Sequence, residues 1–305
     1  MKDLASRIPV LFALAAVSAV ACGRVEEESW VVEPPALPLL ESLTFTDPAE
    51  SPLTIRRARE PDGAEALKVR SSHEVRVRGR MLPAMVTSVR GALDVAVRTA
   101  SVDGDEAVLE ATVGAADVSM DPEIEGASDD MQAGFRAASI RLAARAGRPL
   151  EARAAAGRAQ TATERELAES LQRLLPALPA TPAAAGDAWA FDLVLPRVPT
   201  GGRADLRLHG RYVFRGMTEF EGRTWAGIVL EYAIAASGVS SEGGVQGVLT
   251  GEGAGKGVFL VDPATGVPAR CQVAETTLLR IHVEEKGRRA DAEQFSRLAL
   301  DLDAL

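Results

Sequence analysis

Between Gly243 and Gly266 the chain reads GGVQGVLTGEGAGKGVFLVDPATG, with glycine at 243, 247, 251, 253, 255 and 257. All of these positions are odd. Alternate residues of an extended strand share a face, so one face is nearly bare backbone, while Val248, Thr250, Glu252, Ala254, Lys256 and Val258 stand on the other. A bare face lets something approach closely. The pattern specifies a long, strongly curved central strand of a β-sheet, with the rest of the soluble domain built around it.

The same glycines invite a phosphate-loop reading, which fails at both ends. A Walker-type loop needs Gly five residues before its Gly-Lys pair and Ser or Thr after it, whereas Gly255-Lys256 has Thr250 before and Gly257 after. A dinucleotide fingerprint opening at Gly251-Glu252-Gly253 needs its third glycine where Lys256 stands, and it should lead into a helix. Val258-Phe259-Leu260-Val261 follows instead, which is strand-like. Curvature and close packing explain the glycines better.

The amino terminus carries the most specific motif. Lys2 and Arg7 form a short basic region, Ile8 to Val20 is an apolar run, and Ala19-Val20-Ala21 leads into Cys22. This is the layout of a secretory signal cleaved between Ala21 and Cys22, and the run is short for a membrane span. The Cys after small residues resembles the lipobox of bacterial lipoproteins, although Ala19 stands where Leu is commonest. That resemblance implies a signal peptide over 1–21, a lipidated first mature residue at Cys22 and a membrane anchor of several acyl chains, since one chain alone binds marginally. The other reading is an ordinary signal peptide that happens to contain a cysteine. In a Gram-negative host, Gly23 in place of Asp after the lipidated cysteine implies the outer rather than the inner membrane. With Cys22 acylated, Cys271 is left without a disulfide partner. It lies in an alternating strand and reads as a small buried apolar residue.

Residues 22–52 are Glu-rich and then Pro-rich, with Glu26-Glu27-Glu28, Pro34-Pro35 and Pro38, and read as an extended tether. Docking of Trp30, Leu37, Leu39 and Leu40 on the domain is the alternative. Residues 53–305 read as a single domain, mainly β with some α. The expected architecture is a long antiparallel meander forming a curved sheet or incomplete barrel.

Strands are expected at Leu53 to Glu60 and, after the Pro61-Asp62-Gly63 turn, at Ala64 to Arg80. In the latter, Val75, Val77 and Gly79 alternate with Arg76, Arg78 and Arg80, giving one buried and one basic face. Asp103-Gly104 is a hairpin signal, with Val108 to Met120 beyond it. The acidic stretch from Asp121 to Asp130 has no calcium-loop spacing and reads as a solvated loop. Within 135–156 the alternation of Ile140, Leu142 and Ala144, with Gly147-Arg148-Pro149 closing a hairpin, favours two strands over helix.

The clearest helix is Thr163 to Leu175. Thr163 and Glu166 have capping-box spacing, Leu167, Leu171, Leu174 and Leu175 share a face, and Pro176 stops it. A glycine-lined sheet would let this helix sit close. Beyond it, Leu206, Leu208, Gly210, Tyr212 and Phe214 share one strand face. In the strand after the glycine segment Cys271, Val273, Thr277, Leu279, Ile281 and Val283 oppose Arg270, Gln272, Arg280 and His282, and Glu275 interrupts the apolar side; Glu285-Lys286-Gly287 then turns the chain, and Leu298, Leu300 and Leu302 close the domain.

The block from Leu178 to Ile281, with its Gly186-Asp187-Ala188-Trp189 entry, paired long strands and Gly253 to Gly266 segment, resembles a family of uncharacterised bacterial lipoproteins and secreted proteins. It covers about a third of the chain, and the resemblance implies no catalytic residues. A more distant, fold-level analogy is to the curved half-barrels that carry lipoproteins or lipids through the periplasm.

Little points to catalysis. His73, His209 and His282 adjoin neither one another nor a Cys, and no zinc spacing appears. Gly238-Val239-Ser240-Ser241 lacks the second glycine of a nucleophile elbow and reads as a Ser-rich loop. A net charge of -9, from 34 basic and 43 acidic residues, argues against the basic stripe of a nucleic-acid binder. No cofactor or metal is expected. The sequence therefore favours a non-enzymatic envelope lipoprotein that binds a hydrophobic ligand or a partner protein. An envelope hydrolase with a dispersed site and a purely structural interaction module are the alternatives.

Overall fold

In a computed structural model, residues 30, 32–33, 36–49, 52–55, 64–79, 82–103, 106–153, 159–197, 202–242, 245–285 and 288–305 are described. Among these residues eleven strands run in chain order. The first group is β1 (Ala64–Gly79), β2 (Leu82–Asp103), β3 (Glu106–Asp121), β4 (Ser139–Arg145) and β5 (Glu151–Arg153). The second is β6 (Ala188–Arg197), β7 (Gly202–Phe220), β8 (Arg223–Glu242), β9 (Val245–Val261), β10 (Pro268–Glu285) and β11 (Arg288–Ala304). Among the described residues three helices accompany them: α1 (Pro38–Ser42), α2 (Ala127–Arg136) and α3 (Ala162–Leu174).

All eleven strands belong to one sheet, ordered β5-β4-β3-β2-β1-β11-β10-β9-β8-β7-β6. Every pairing joins chain neighbours except β1 with β11, which zips the first and last strands together, antiparallel, from Leu67↔Ala304 to Gly79↔Ala292. Two meanders are thereby fused into one curled half-barrel. Among the described residues its two edges are β5 and β6, and both border one cleft.

Period-two alternation sets the faces. On β1, Leu67 and Val69 point into the concavity and are almost fully buried, while Lys68 and Arg70 point outward. The outer face carries cross-strand ion pairs: Glu110 on β3 meets Arg98 of β2 and Arg141 of β4, and Glu106 meets Arg145 and Arg153. Asp303 similarly lies between Arg70 and Arg270. Exposed pairs of this kind add little stability, but they keep the outer face polar. A membrane-spanning barrel has the reverse polarity, apolar outside and polar within.

Helix α3 sits in the concavity. Leu167, Leu171 and Leu174 are fully buried in the same core as Leu67, Leu109, Phe191, Tyr212 and Leu302. Burying each leucine contributes roughly 1.5–3 kcal/mol relative to exposure. Its capping box is Thr161 with Glu164, two residues ahead of the Thr163 and Glu166 pair expected from spacing. Thr161 Oγ1 accepts from the Glu164 amide at 3.2 Å, and the Thr161 amide donates to the Glu164 carboxylate at 2.8 Å. Thr163 instead packs on Gly134 of α2, where an added Cβ would lie 2.8 Å from its methyl.

Other segments differ from what the sequence pattern leads one to expect. The acidic stretch before Asp130 is a loop only as far as Gly126, because α2 begins at Ala127 with Asp129 and Asp130 in its first turn, where carboxylates complement the helix dipole. The two strands expected within 135–156 are present, but α2 occupies 135–136 and they begin at Ser139. The Ser-rich segment 238–241 is not a loop but part of β8. Of the strand expected over 53–60, Leu53 bridges Ala183 and Ile55 is buried; residues 56–60 and the Pro61-Asp62-Gly63 turn lie outside the described residues. Gly243 and Gly104 also lie outside them.

For the described residues between 30 and 49, docking is what the structure displays. Trp30 stacks on Phe295 with ring centroids 5.7 Å apart, and the Arg78 guanidinium lies 4.0 Å over its ring. Thr276 Oγ1 donates to the Glu33 carbonyl at 2.8 Å, and the Leu39 amide donates to Gln272 Oε1 at 3.2 Å. Leu37 is buried against Val229, Val258 and Ala274. Thr46 and Met217 then exchange backbone bonds of 2.8 and 2.7 Å. This approach requires glycine at 216, because a Cβ there would lie 2.3 Å from the Thr46 carbonyl. The segment is a strap across the outer face from β11 to β7.

Candidate binding cleft

Strand β9 lies where the glycine pattern places it, between β8 and β10. Its bare face turns into the concavity, and neighbouring side chains fill it. One row crosses the sheet through directly paired positions: Phe191, Gly210, Tyr232, Gly255 and Glu275. The Tyr232 ring lies over Gly255, so that a Cβ on Gly255 would be 2.2 Å from Cζ. The missing side chain lets the Tyr232 hydroxyl cross β9 and donate to Glu275 Oε1.

Helix α3 completes this arrangement from above. Arg173 Nε donates to Glu275 Oε1 at 2.5 Å, and Arg173 Nη1 lies 3.8 Å from Glu169 Oε2. Glu275, Arg173 and Glu169 are each about 4 % exposed. Burial alone would lower the Arg173 pKa, but the carboxylates of Glu275 and Glu169 outweigh it and hold the guanidinium charged. Burial, and then the Glu275 carboxylate, raise the Tyr232 hydroxyl well above the ordinary tyrosine range, so it stays a donor. Glu275, the charge that interrupts an apolar strand face, is thus the anchor point of the helix.

The remaining hollow on this side, about 60 Å³, is lined by Leu206, Leu249, Leu279, Leu298, Ser296 and Gln294 among others. It admits a few water-sized groups. Cys271 is fully buried, with Sγ 3.2 Å from the Leu174 carbonyl, and burial pushes its thiol up, in keeping with a packing residue.

A larger space, about 710 Å³, opens at the seam of the half-barrel. One wall is β6, with Ala190, Asp192 and Val194. The opposite wall is the turn and strand from Gly147 to Ala152, and the floor is α3, with Arg165, Ala168 and Gln172. The turn is held in place because the Gly147 amide donates to the Leu178 carbonyl at 2.6 Å and Gln172 Nε2 donates to the Leu150 carbonyl at 2.7 Å. Leu150 and Leu195 supply apolar surface; Val194, 55 % exposed, stands at the mouth. The volume falls in the range of ligand sites.

The histidines remain apart. His73 lines the smaller hollow, whereas His209 contacts Asp192 and His282 contacts Asp291 at 2.6 Å, both pairs on exposed surface. Among the described residues no three His, Cys, Asp or Glu side chains converge to hold a metal ion, and no helix is long and apolar enough to cross a membrane. Ala21 and Cys22 lie outside the described residues. The cleft escapes motif reading, since nothing in residues 147–152 or 190–195 signals that the two segments face each other.

No protein-family model matches the sequence, and no curated protein is similar to it. Among solved structures, the chain has some likeness to Pseudomonas aeruginosa OccK11 (OpdR), with 7% identity over 83% of this chain and 100% of that one and a TM-score of 0.23. Pseudomonas aeruginosa OpdK with vanillate is 10% identical over 80% and 99%, with a TM-score of 0.20. OmpTdeltaL8, a loop-deletion mutant of an outer membrane protein of Vibrio cholerae, is 9% identical over 79% and 100%, at 0.18. The fold assignment rests on the strand order itself.

Proposed function

We propose that this protein is a bacterial cell-envelope lipoprotein, anchored by acyl chains on Cys22, that acts as a non-enzymatic binding module with its site in the seam cleft. The observation that carries the binding role is the cleft itself: the sheet stops short of closure and leaves about 710 Å³ between β6 and the segment Gly147 to Ala152. Mixed apolar and polar walls suit a partner protein better than a bare acyl chain. The broad concave face, the other place for a lipid, is filled by α3 and Tyr232. The lipobox at Cys22 supports the anchor, and Gly23 supports the outer membrane in a Gram-negative host. The polar outer face of the sheet suits a domain held outside the bilayer rather than within it.

Two measurements test this reading. Cys22→Ser should move the protein from the membrane to the soluble fraction and abolish acyl labelling; unchanged fractionation sinks the anchor. A photo-crosslinking residue at Val194, in cells, should give a discrete adduct that the same residue at Val86, 42 % exposed on the outer face, does not. Identical patterns from both sites would count against the cleft.

A further inference from the structure

Among the described residues no strand pairs with the cleft-facing edge of β6, and its register shows which groups lie on that edge. Along its length β6 pairs with β7, from Ala188↔Val213 to Arg197↔Ala204. Just before that ladder the Phe214 amide donates to the Asp187 carbonyl at 2.9 Å. Antiparallel pairing alternates residues that bond to the partner strand with residues that face away. Residues 189, 191, 193 and 195 therefore face β7, and the amides and carbonyls of Ala190, Asp192 and Val194 face the cleft. These three residues line it, and among the described residues no backbone partner is found for their outward groups. The next outward position is Pro196, whose ring removes an N–H that β7 does not need, the placement proline takes on an edge strand.

We infer that the cleft takes an extended polypeptide segment of a partner protein, which adds to β6 as a further strand; this rests on the reading of the seam as the binding site. Outward N–H and C=O groups, repeating every second residue at roughly 7 Å, are complementary to another backbone in extended conformation. Three such residues in a row give the segment its register. The inward side chains of the incoming strand meet Ala168 and Leu150, which selects small or apolar residues at alternate positions. A second copy of this chain is disfavoured by the opposite wall. A β6 edge arriving from another molecule brings its own β7 in the plane of the sheet, where Gly147 to Ala152 already stand. A single segment with no strand behind it fits between the walls.

The test uses the full-length protein purified in detergent and decapeptides selected on it from a random library. A selected peptide is synthesised in two forms, N-methylated at its odd or at its even residues. Strand addition predicts that one form binds like the parent and the other at least tenfold more weakly. Val194→Pro, which removes a cleft-facing N–H and no ladder bond, should weaken the parent at least tenfold while leaving the unfolding midpoint near that of the natural protein. Should Val194→Pro misfold, Ala190→Pro asks the same question one repeat away. Equal binding by both methylated forms, with sensitivity to Val194→Pro, would overturn strand addition and leave the cleft a binding site of another kind. Insensitivity to both proline variants would overturn the cleft as well. A concentration-dependent dimer dissolved by Val194→Pro would overturn the partner segment in favour of self-association.

Discussion

Gly255→Ala is expected to destabilise the protein by about 3 kcal/mol, from the overpacking that an extra core methyl causes and the loss of a charge-assisted hydrogen bond. Replacing a strand glycine with alanine ordinarily gains a few tenths to 1 kcal/mol, because glycine loses the most backbone freedom on folding. Here the new Cβ would sit 2.2 Å from Tyr232 Cζ and 2.5 Å from its hydroxyl. The ring must leave the row and release Glu275 from its donor. Denaturant unfolding of four proteins decides the matter: the natural chain, Gly255→Ala, Tyr232→Ala and the double variant. If the ring is the obstacle, Gly255→Ala costs almost nothing in the Tyr232→Ala background, giving a large coupling energy. Additive losses would show that Gly255 serves the strand in some other way. Gly257, whose nearest contacts for an added Cβ are 3.1 Å away on Phe259, should tolerate alanine at lower cost.

Glu275→Ala should cost about 3–5 kcal/mol, the usual penalty for leaving one member of a buried ion pair without its partner. Arg173 would keep Glu169 at 3.8 Å as its remaining carboxylate, and the Tyr232 hydroxyl would lose its acceptor. Because Arg173 stands in the last turn of α3, the loss should also loosen the helix from the sheet and expose Cys271, whose Sγ meets the Leu174 carbonyl. Thiol labelling under native conditions should therefore accelerate together with the fall in unfolding midpoint. A double variant, Arg173→Met with Glu275→Leu, should recover much of the loss, since apolar pairs of similar volume often replace buried ion pairs at little cost. A Glu275→Ala protein as stable as the parent would show that the pair contributes orientation only.

Much of the fold was legible because a two-residue period is a local signal. The alternation of Leu67 and Val69 with Lys68 and Arg70, and of Tyr212 and Phe214 with their outward neighbours, fixes strand faces without knowledge of their partners. The leucine stripe of α3 is similarly local, though its cap falls two residues earlier because both Thr161–Glu164 and Thr163–Glu166 satisfy the spacing, and packing on Gly134 takes Thr163. Helix α2 was hidden by Gly126, Ser128 and two aspartates, residues that suit turns and helix starts equally.

The candidate site was not legible, for a topological reason. The seam exists because β1 pairs with β11, bringing residues more than 200 positions apart into register, and strand alternation carries no information about which strands pair. Glu275 was visible as an anomaly on an apolar face, but its partner Arg173 is 102 residues away on a helix. The glycines of β9 marked a close approach correctly; that the approaching group is the protein's own Tyr232, rather than the helix backbone or a ligand, depends on the row through Gly210 and Gly255.

The most direct measurement is amide hydrogen exchange, residue by residue, along β6 in the natural protein. An open seam predicts alternation: slow exchange at Phe191, Leu193 and Leu195, whose amides bond to β7, and fast exchange at Ala190, Asp192 and Val194, whose amides face the cleft. Uniform protection across all six would mean that the edge is already paired, and would contradict both the open half-barrel and the binding site assigned to it.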